Sequence, residues 1–281
     1  DTAVIEMAMI CGITTLSPLN PMAAHSYGLG QVISAAMANA EVREILIAVG
    51  GSASTDAGVG ALMALGYRFL DHDGREVGLG GGALAKIARI IAPTELQLPE
   101  RGVRILVDVQ SPMTGLTGAA HIFAPQKGAD KEQVEELDQG LQNFLTVTGA
   151  RDADGYGAAG GVSGGLAILL GAEIVSGVET LAKLSGIAEQ LDRADCLVTG
   201  EGAFDSQSFS GKVVGYLLAQ AEPRALPALV ICGVNKNSVS DSVVSLVDLA
   251  PSVDEAIKDP TLWLERGGAL LAERFTASSQ R

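Results

Sequence analysis

The feature that most constrains the fold of this chain is a repeated order of a short apolar run, a glycine-containing loop and an amphipathic stretch. The runs are rich in β-branched residues, and the stretches have the spacing of helices. This alternation predicts an α/β fold with parallel sheets, whose ligands bind at the carboxyl ends of the strands. The predicted strands are 45–49, 105–109, 196–199 and 228–232, and the predicted helices are 57–65, 131–145, 178–191 and 211–221.

The length and the glycine content predict two domains. A chain of 281 residues exceeds what one hydrophobic core usually serves. The 35 glycines and 4% aromatic residues indicate a core of small aliphatic side chains with many tight turns. Residues 155–171 are glycine-rich and uncharged, and we interpret them as a flexible or tightly packed hinge. We expect the domains to change between 175 and 190 and place the boundary at residue 180.

The charge balance restricts the possible partners. Nineteen basic and 33 acidic residues give a formal charge of −14 and a pI near 4.6. Such a field repels nucleic acid and anionic membrane surfaces, so neither is expected as a partner. It also repels small anions, and an anion site therefore has to be built locally from lysines, backbone N–H groups and a divalent cation.

The cysteines and the termini indicate a cytoplasmic protein. Cys11, Cys196 and Cys232 are far apart and lie in apolar runs, which predicts reduced core residues and not a disulfide framework or a metal site. The sequence contains no apolar stretch long enough to span a bilayer and no signal-peptide pattern at its start. Because it begins at Asp1, without methionine and on a predicted strand edge, we expect a further N-terminal segment.

The first candidate loop follows the predicted strand 45–49. It begins with Gly50, Gly51 and Ser52, whose backbone N–H groups can converge on an anion, and the next helix adds a favourable dipole. Asp56 has two interpretations, because it either caps that helix or binds a metal ion or a substrate hydroxyl. This loop is a candidate for phosphate or carboxylate binding.

The second candidate loop follows the third predicted strand. Glu201 and Asp205 are four residues apart, so their carboxylates can share a divalent cation or divide the roles of metal ligand and base. Lys212 opens the next helix and can reach a phosphate there. Gly200 and Gly202 are the nucleotide-binding candidates of this loop. The alternative is that these residues are surface carboxylates and a solvent-facing lysine.

Three other polar residues have weaker patterns. Asp108 lies at the end of the predicted strand 105–109 and is either a metal ligand or a turn former, and Lys127 lies in a turn. His25 has no second histidine at ligand spacing, so we interpret it as a surface or hydrogen-bonded residue and not as a catalytic one.

Two common nucleotide motifs are excluded. Lys212 is followed by Val213, and Ser206 stands where a Walker A loop requires glycine. Residues 155–160 have the G-x-G-x-x-G spacing but follow a polar segment and not a strand, so they lack the context of a dinucleotide site.

The loops and several intervening segments, taken in order, resemble the bacterial class I glycerate kinases. No block identifies the family alone, but the ordered combination is specific and spans nearly the whole chain. The matching blocks are Glu6-Met-Ala, Ser26-Tyr-Gly-Leu-Gly30, Gly50-Gly-Ser-Ala with Asp56, Gly66-Tyr-Arg-Phe-Leu-Asp71, Gly80-Gly-Gly-Ala-Leu84, Pro125-Gln-Lys-Gly-Ala129, Gly160-Gly, Gly171-Ala-Glu, and Thr199-Gly-Glu-Gly with Asp205, Gln207 and Gly211-Lys212.

The resemblance implies phosphorylation of D-glycerate with ATP and Mg²⁺, and 2-phosphoglycerate is favoured over 3-phosphoglycerate as the product. It also implies two α/β domains, a Rossmann-like parallel-sheet domain built from both chain ends and an inserted flavodoxin-like domain. Residues 1–180 then form most of the inserted domain, and residues 181–281 form the C-terminal half of the Rossmann-like domain. The family's N-terminal strand and its Asp-Ser-Phe-Lys-Gly loop are absent from this sequence. A homodimer is left open.

The resemblance suggests a role for each candidate. Glu201 or Asp205 holds Mg²⁺, and Lys212 neutralises phosphate charge together with the amides of residues 50–52. The hydroxyl of glycerate loses its proton to Asp56 or Asp205, of which Asp205 is preferred. Lys127 is available to the carboxylate of glycerate.

Departures from the family pattern leave two rival functions open. The family usually has Asn and Gly where this chain has Thr55 and Ala57, Arg where it has Ala203, and Asp-Asn where it has Gln110 and Ser111. Loss of an arginine near phosphates removes a bidentate donor. One rival is a catalytically impaired regulator that binds a nucleotide or metabolite. The other is an NAD-dependent hydroxy-acid oxidoreductase.

Overall fold

A computed structural model describes residues 1–209, 212–238 and 240–279, without the side chains of 277–279. The chain divides into two compact units, Asp1–Gly177 and Val178–Arg281. The division lies close to the boundary expected at residue 180, whereas the assignment of the first unit as an inserted domain stays a prediction. Within the described residues, none of the helices combines the length and hydrophobicity that a membrane span requires.

The first unit is built on a parallel sheet. Four strands are hydrogen-bonded in the order β1-β2-β5-β6, and every pair is parallel. β3 and β4 form a separate antiparallel pair that the sequence patterns did not predict. The strands are β1 (Thr2–Glu6), β2 (Glu44–Ala48), β3 (Arg68–Leu70), β4 (Arg89–Ile91), β5 (Val103–Leu106) and β6 (Glu173–Val175).

Helices connect these strands. The longest of them, α5, begins at a capping box in which Asp130 and Gln133 each accept a hydrogen bond from the other's backbone, and it ends at Gly149 in the left-handed conformation. The helices are α1 (Ala8–Cys11), α2 (Tyr27–Met37), α3 (Val59–Ala64), α4 (Ala119–Phe123), α5 (Lys131–Thr148) and α6 (Val162–Leu170), with short 3₁₀ helices at Ile13–Thr15, Gly81–Lys86 and Pro125–Lys127.

The core of the first unit surrounds β2. Consecutive residues of this strand, Ile45, Leu46 and Ile47, are all fully buried, although they point alternately to opposite faces of the sheet. Such a strand has both faces covered, as parallel sheets usually do. The continuous apolar run in the sequence thus corresponds to a central, doubly covered strand.

The glycine-rich tract 155–171 is tightly packed, which was one of its two expected states, and the division between the units lies after it at Gly177. Its second half is the buried helix α6, and its glycines let this helix pack backbone-to-backbone against the loop after β2. A Cβ atom on Gly160 would collide with the carbonyl of Ser54, and one on Gly165 would collide with the carbonyl of Ala57. Close packing of this kind requires glycine.

The second unit contains a parallel sheet in the order β7-β8-β9. Val230 and Cys232 of β8 pack with Val214 of the helix that follows β7, whereas Leu229 packs with Leu271 of the last helix. The alternating side chains of β8 therefore contact helices on both faces. The strands are β7 (Leu197–Phe204), β8 (Ala228–Asn235) and β9 (Val243–Ser245).

The predicted helix 178–191 is interrupted. Two helices occupy this segment, and Gly186 precedes the second with a φ of 63°. The predicted helix at 211–221 begins at Val213, and Gly211 itself lies outside the described residues. The helices are α7 (Gly177–Leu184), which begins at the division, α8 (Ile187–Leu191), α9 (Val213–Ala221), α10 (Leu246–Leu249), α11 (Val253–Lys258) and α12 (Pro260–Ser279), with a 3₁₀ helix at Ser206–Phe209 and another at Glu222–Arg224.

Substitution of Gly30 by alanine tests the close packing of α2 on α3. A Cβ atom at this position would lie 2.7 Å from the Cα of Ala61, so we expect the free energy of unfolding to fall by about 2 kcal/mol or more. Denaturant unfolding measures the change. Gly78→Ala is the matched control, because Gly78 is exposed and its added Cβ would meet no atom within 4 Å. Equal losses in both variants would contradict the packing argument.

Candidate functional site

A pocket of about 640 Å³ lies in the first unit where β2 and β5 end. The carboxyl ends of neighbouring parallel strands are the usual ligand-binding edge of an α/β sheet. The polar lining comprises Ser52, Asp108, Gln126 and Lys127, together with the backbone of Gly50 and Gly51, and the apolar walls include Ile13, Val49 and Phe123.

The loop after β2 is held in place by the segment after β1. Ile13 N–H donates to the carbonyl of Gly51 at 2.9 Å, and Ala53 N–H donates to the carbonyl of Cys11 at the same distance. The two segments therefore support each other as a short bridge between neighbouring strands. Gly50 and Gly51, expected to bind an anion, line the pocket as part of this supported loop.

Lys127 is an almost completely buried cation in the pocket lining. Its side chain reaches the loop after β2, where Nζ donates to the hydroxyl of Ser52 at 2.9 Å and to the carbonyl of Ser54 at 2.6 Å. Only 3% of the residue is exposed, and burial lowers the pKa of its ammonium group to about 8, while the negative charge of Asp56 opposes the shift. The structure thus joins Lys127 and Ser52, predicted separately, in one pocket.

Asp56 is fully buried and accepts only internal hydrogen bonds. Oδ2 accepts from the backbone N–H and the hydroxyl of Ser26, both at 2.8 Å, and from Gly60 N–H at 3.2 Å. Oδ1 accepts from Gly58 N–H at 3.1 Å. With no exposed surface and with contacts at the start of α3, this carboxylate matches the capping interpretation better than direct contact with a substrate.

The role of Ser26 is not apparent from the sequence. Its hydroxyl donates to Asp56 and accepts from Ala61 N–H at 3.0 Å, so it joins the start of α2 to α3. The partners of its hydroxyl lie 30 and 35 residues away and cannot be inferred from spacing. The apolar wall formed by Ile13 and Phe123 also carried no sequence signal.

Asp108 lies at the pocket, whereas His25 lies on the surface and outside the lining of this pocket. Asp108 lines the pocket, is exposed, and Oδ1 accepts from Gly177 N–H at 2.9 Å. It therefore has a long-range contact with the segment that follows β6, as well as access to the pocket. His25 is exposed, and its Nδ1 accepts from Tyr27 N–H at 3.3 Å, which agrees with the interpretation as a surface residue.

The second unit brings Glu201 and Lys212 together. Lys212 Nζ lies 3.8 Å from Glu201 Oε2, and the lysine side chain is 47% exposed. Glu201 Oε1 is buried and has no hydrogen-bond partner among the described residues. Asp205 is half-buried, and its Oδ1 accepts from Gln207 N–H at 2.9 Å. The loop thus offers one carboxylate oxygen without a partner and a nearby cation.

The carboxylates fit a divalent cation only in part. The unpartnered Oε1 of Glu201 is the type of oxygen that Mg²⁺ prefers. The described residues contain no group of three or more histidine, cysteine, aspartate or glutamate side chains arranged to hold a metal ion. Mg²⁺ typically takes one or two carboxylates and completes its shell with phosphate oxygens and water, so Glu201 meets one part of that requirement.

The two glycines predicted to bind the nucleotide, and one of the positions that depart from the family pattern, lie on β7. Gly200 and Gly202 are exposed on β7, and a Cβ on Gly202 would meet no atom within 4 Å. Ala203 lies on the same strand. Ala57 is buried with a positive φ of 50°, a conformation that favours the glycine usual in the family.

Thr55, Gln110 and Ser111 are the other substituted positions. Thr55 is fully buried, and its hydroxyl has no hydrogen-bond partner among the described residues. Gln110 is exposed, and the hydroxyl of Ser111 donates to the carbonyl of Thr117.

These features define a two-domain α/β protein with a lysine-containing pocket at the carboxyl edge of a parallel sheet. The sequence profile of the glycerate kinase family matches residues 1–276. The chain therefore belongs to the glycerate kinase family and to the kinases that this family comprises.

Individual relatives agree with this placement. The chain is 42% identical to an uncharacterized protein of Synechocystis sp., over 95% of this chain and 74% of that protein. It is 34% identical to glycerate 2-kinase of Escherichia coli K12, over 92% of this chain and 71% of the relative. A crystal structure of glycerate kinase 2 from Salmonella typhimurium LT2 superposes with a TM-score of 0.78 at 31% identity, covering 99% of this chain and 75% of that one. The predicted family and the two-domain α/β fold are confirmed.

Replacement of Lys127 by methionine tests the cost of burying its charge. Because the folded-state pKa is near 8 and the ordinary value is 10.5, the folded protein releases this proton before the unfolded chain does as the pH rises. The wild type therefore gains stability between these values, and the methionine variant lacks this gain. We expect the stability of Lys127→Met relative to the wild type to decrease by about 2 kcal/mol from pH 7 to pH 10.

Urea unfolding at the two pH values measures this difference. Lys131→Met is the control, because Lys131 is exposed at the start of α5. A relative stability of Lys127→Met that stays constant or increases with pH would contradict the assignment of a depressed pKa.

Proposed function

We propose that this protein transfers the γ-phosphoryl group of ATP to D-glycerate, with the 2-hydroxyl favoured over the 3-hydroxyl. Membership of the glycerate kinase family supports the reaction, and the name of the Escherichia coli relative, glycerate 2-kinase, supports the position. The observation that carries the proposal is the buried ammonium group of Lys127 in a pocket at the carboxyl edge of the sheet. In a chain with a formal charge of −14, a buried cation in a pocket supplies the local positive charge that an anionic ligand requires.

Lys127 is proposed to bind the carboxylate of glycerate. Two of its three N–H groups donate to the hydroxyl of Ser52 and to the carbonyl of Ser54. Among the described residues, the third N–H group has no acceptor. The lysine lines the pocket, so that donor is available to a ligand carboxylate. The amides of Gly50 and Gly51 lie in the same lining and supply further donors for glycerate or for the transferred phosphoryl group.

Residues of the second unit are proposed to bind the nucleotide. Gly202 is exposed on β7 and a Cβ there would meet no atom within 4 Å, so phosphate groups can approach the backbone. Gly200 is exposed as well, but a Cβ there would lie 2.3 Å from the carbonyl oxygen of Ile231, so close packing against β8 also requires glycine at this position. Lys212 supplies a half-exposed positive charge beside Glu201. Glu201 would hold Mg²⁺, which would neutralise phosphate charge, and Asp205 would stay available as the base. The unpartnered Oε1 of Glu201 supports this role.

Asp205 is the proposed base. It is half-buried, and among the described residues only the N–H of Gln207 donates to its carboxylate, whereas the carboxylate of Asp56 is fully enclosed. Asp205 would take the proton of the glycerate hydroxyl while that oxygen bonds to the γ-phosphorus and ADP leaves. Catalysis then depends chiefly on positioning and on charge neutralisation.

An NAD-dependent activity gains no support. Residues 155–161 form turns that lead into α6, and the element before them is α5 and not a strand. A dinucleotide site requires a strand at that point. The impaired-regulator alternative differs from the proposal only in turnover, so a direct assay separates them.

The direct test is an assay of the full-length protein with D-glycerate, ATP and Mg²⁺, with the phosphoglycerate isomer identified by NMR. We expect ATP-dependent formation of 2-phosphoglycerate. ATP binding without any product would identify the regulator, and predominant 3-phosphoglycerate would overturn the position of transfer.

Asp205→Asn tests the base in the same assay. We expect kcat to fall at least about 100-fold with little change in folding, because the amide cannot accept the proton. Asp195→Asn is the matched control at an exposed position of the same unit. A kcat close to the wild-type value in folded Asp205→Asn would end this assignment.

A further inference from the structure

We propose that Asp56 is a positioning residue whose buried carboxylate fixes the loop 50–58 on two helices and supplies the buried negative charge that accompanies the Lys127 ammonium group. The inference rests on the proposed role of Lys127 in binding the acceptor carboxylate. It gives Asp56 a function in the reaction without contact with the substrate.

The hydrogen bonds of Asp56 join separate parts of the first unit. Its two oxygens accept four hydrogen bonds, from the backbone and hydroxyl of Ser26 before α2 and from the amides of Gly58 and Gly60 at the start of α3. All four partners are donors, which suits an ionised carboxylate that only accepts. The group is therefore a buried negative charge tied to both helices.

The loop that Asp56 holds is the one that positions Lys127. Lys127 donates to the hydroxyl of Ser52 and to the carbonyl of Ser54, four and two residues before Asp56. Gly160 and Gly165 of the glycine-rich tract leave no room behind this loop, so its backbone cannot retreat without repacking α6. A fixed carboxylate at the end of the loop thus fixes the acceptors of the ammonium group as well.

The charge of Asp56 also offsets the burial of Lys127. A buried ammonium group without a nearby anion tends to lose its proton. Asp56 acts on Lys127 in the opposite direction from burial, and the pKa stays near 8. The other charged residue that lines the pocket is Asp108, which follows β5 and also has a contact with Gly177. Asp56, enclosed by protein, is screened less by solvent than the exposed Asp108.

The test compares loss of the Asp56 charge with loss of one of its hydrogen bonds. Asp56→Asn removes the charge together with the hydrogen bonds of the oxygen that becomes an NH₂ group, because that group cannot accept. Ser26→Ala retains the charge but removes the side-chain bond to Asp56 and the support of Ala61 N–H. The Lys127 ammonium is followed by NMR titration of ¹³C-labelled lysine side chains, with Lys127→Met to assign the signal. The KM for D-glycerate and kcat are measured at pH 6.5 and pH 8.

In the wild type, a pKa of about 8 predicts an increase in KM of about twofold between these pH values. In Asp56→Asn we expect the Lys127 titration to move to lower pH and KM to increase about fivefold or more over the same interval, because less of the lysine is protonated. Ser26→Ala should be less stable, but its Lys127 titration and its KM profile should match the wild type.

An unchanged Lys127 titration in folded Asp56→Asn would overturn the inference. If Asp56→Asn does not fold, the Ser26→Ala variant decides. A shifted Lys127 titration in Ser26→Ala, which retains the Asp56 charge, would also overturn the inference. A Lys127 titration and a KM profile equal to those of the wild type would support it. Failure of the proposed function is distinguishable: a wild type that does not phosphorylate D-glycerate refutes the reaction, while the NMR titration still decides the role of Asp56.

Discussion

The hydrogen bonds of the buried Asp56 carboxylate hold the loop that lines the pocket. This carboxylate accepts hydrogen bonds from Ser26 and from the amides at the start of α3, and so connects the loop after β2 to two helices. The same loop offers the acceptors that hold Lys127. Without an internal anion at this point, a lysine that is 3% exposed would carry the full cost of desolvation.

Close backbone packing explains the composition of the first unit. Gly160 and Gly165 bring the tract before and within α6 into contact with the carbonyl groups of the loop, and Gly30 does the same between α2 and α3. Side chains at these places would separate the layers. The high glycine content therefore reflects contacts between backbones and not mobile linkers, which is why composition alone suggested a hinge at 155–171.

Much of the fold was predictable from local patterns, because strands buried on both faces produce continuous apolar runs. The runs around Ile47 and Val230 correspond to β2 and β8, and the loops after such strands contain the candidate residues. Long-range contacts were not predictable. Nothing local links Ser26 to Asp56 or Lys127 to Ser54, and Gly186 interrupts a segment whose apolar spacing continues as a helix. The roles of Glu201 and Asp205 stay predictions, because no ligand contact tests them.

In the proposed site, the protonated form of a buried lysine with a lowered pKa binds a small organic anion in a strongly acidic protein. Titration calorimetry of D-glycerate in buffers of different ionisation enthalpy measures the protons taken up on binding. With a Lys127 pKa near 8, binding should take up about half a proton at pH 8 and almost none at pH 6. Binding without proton uptake at pH 8, or no binding at either pH, would contradict the claim.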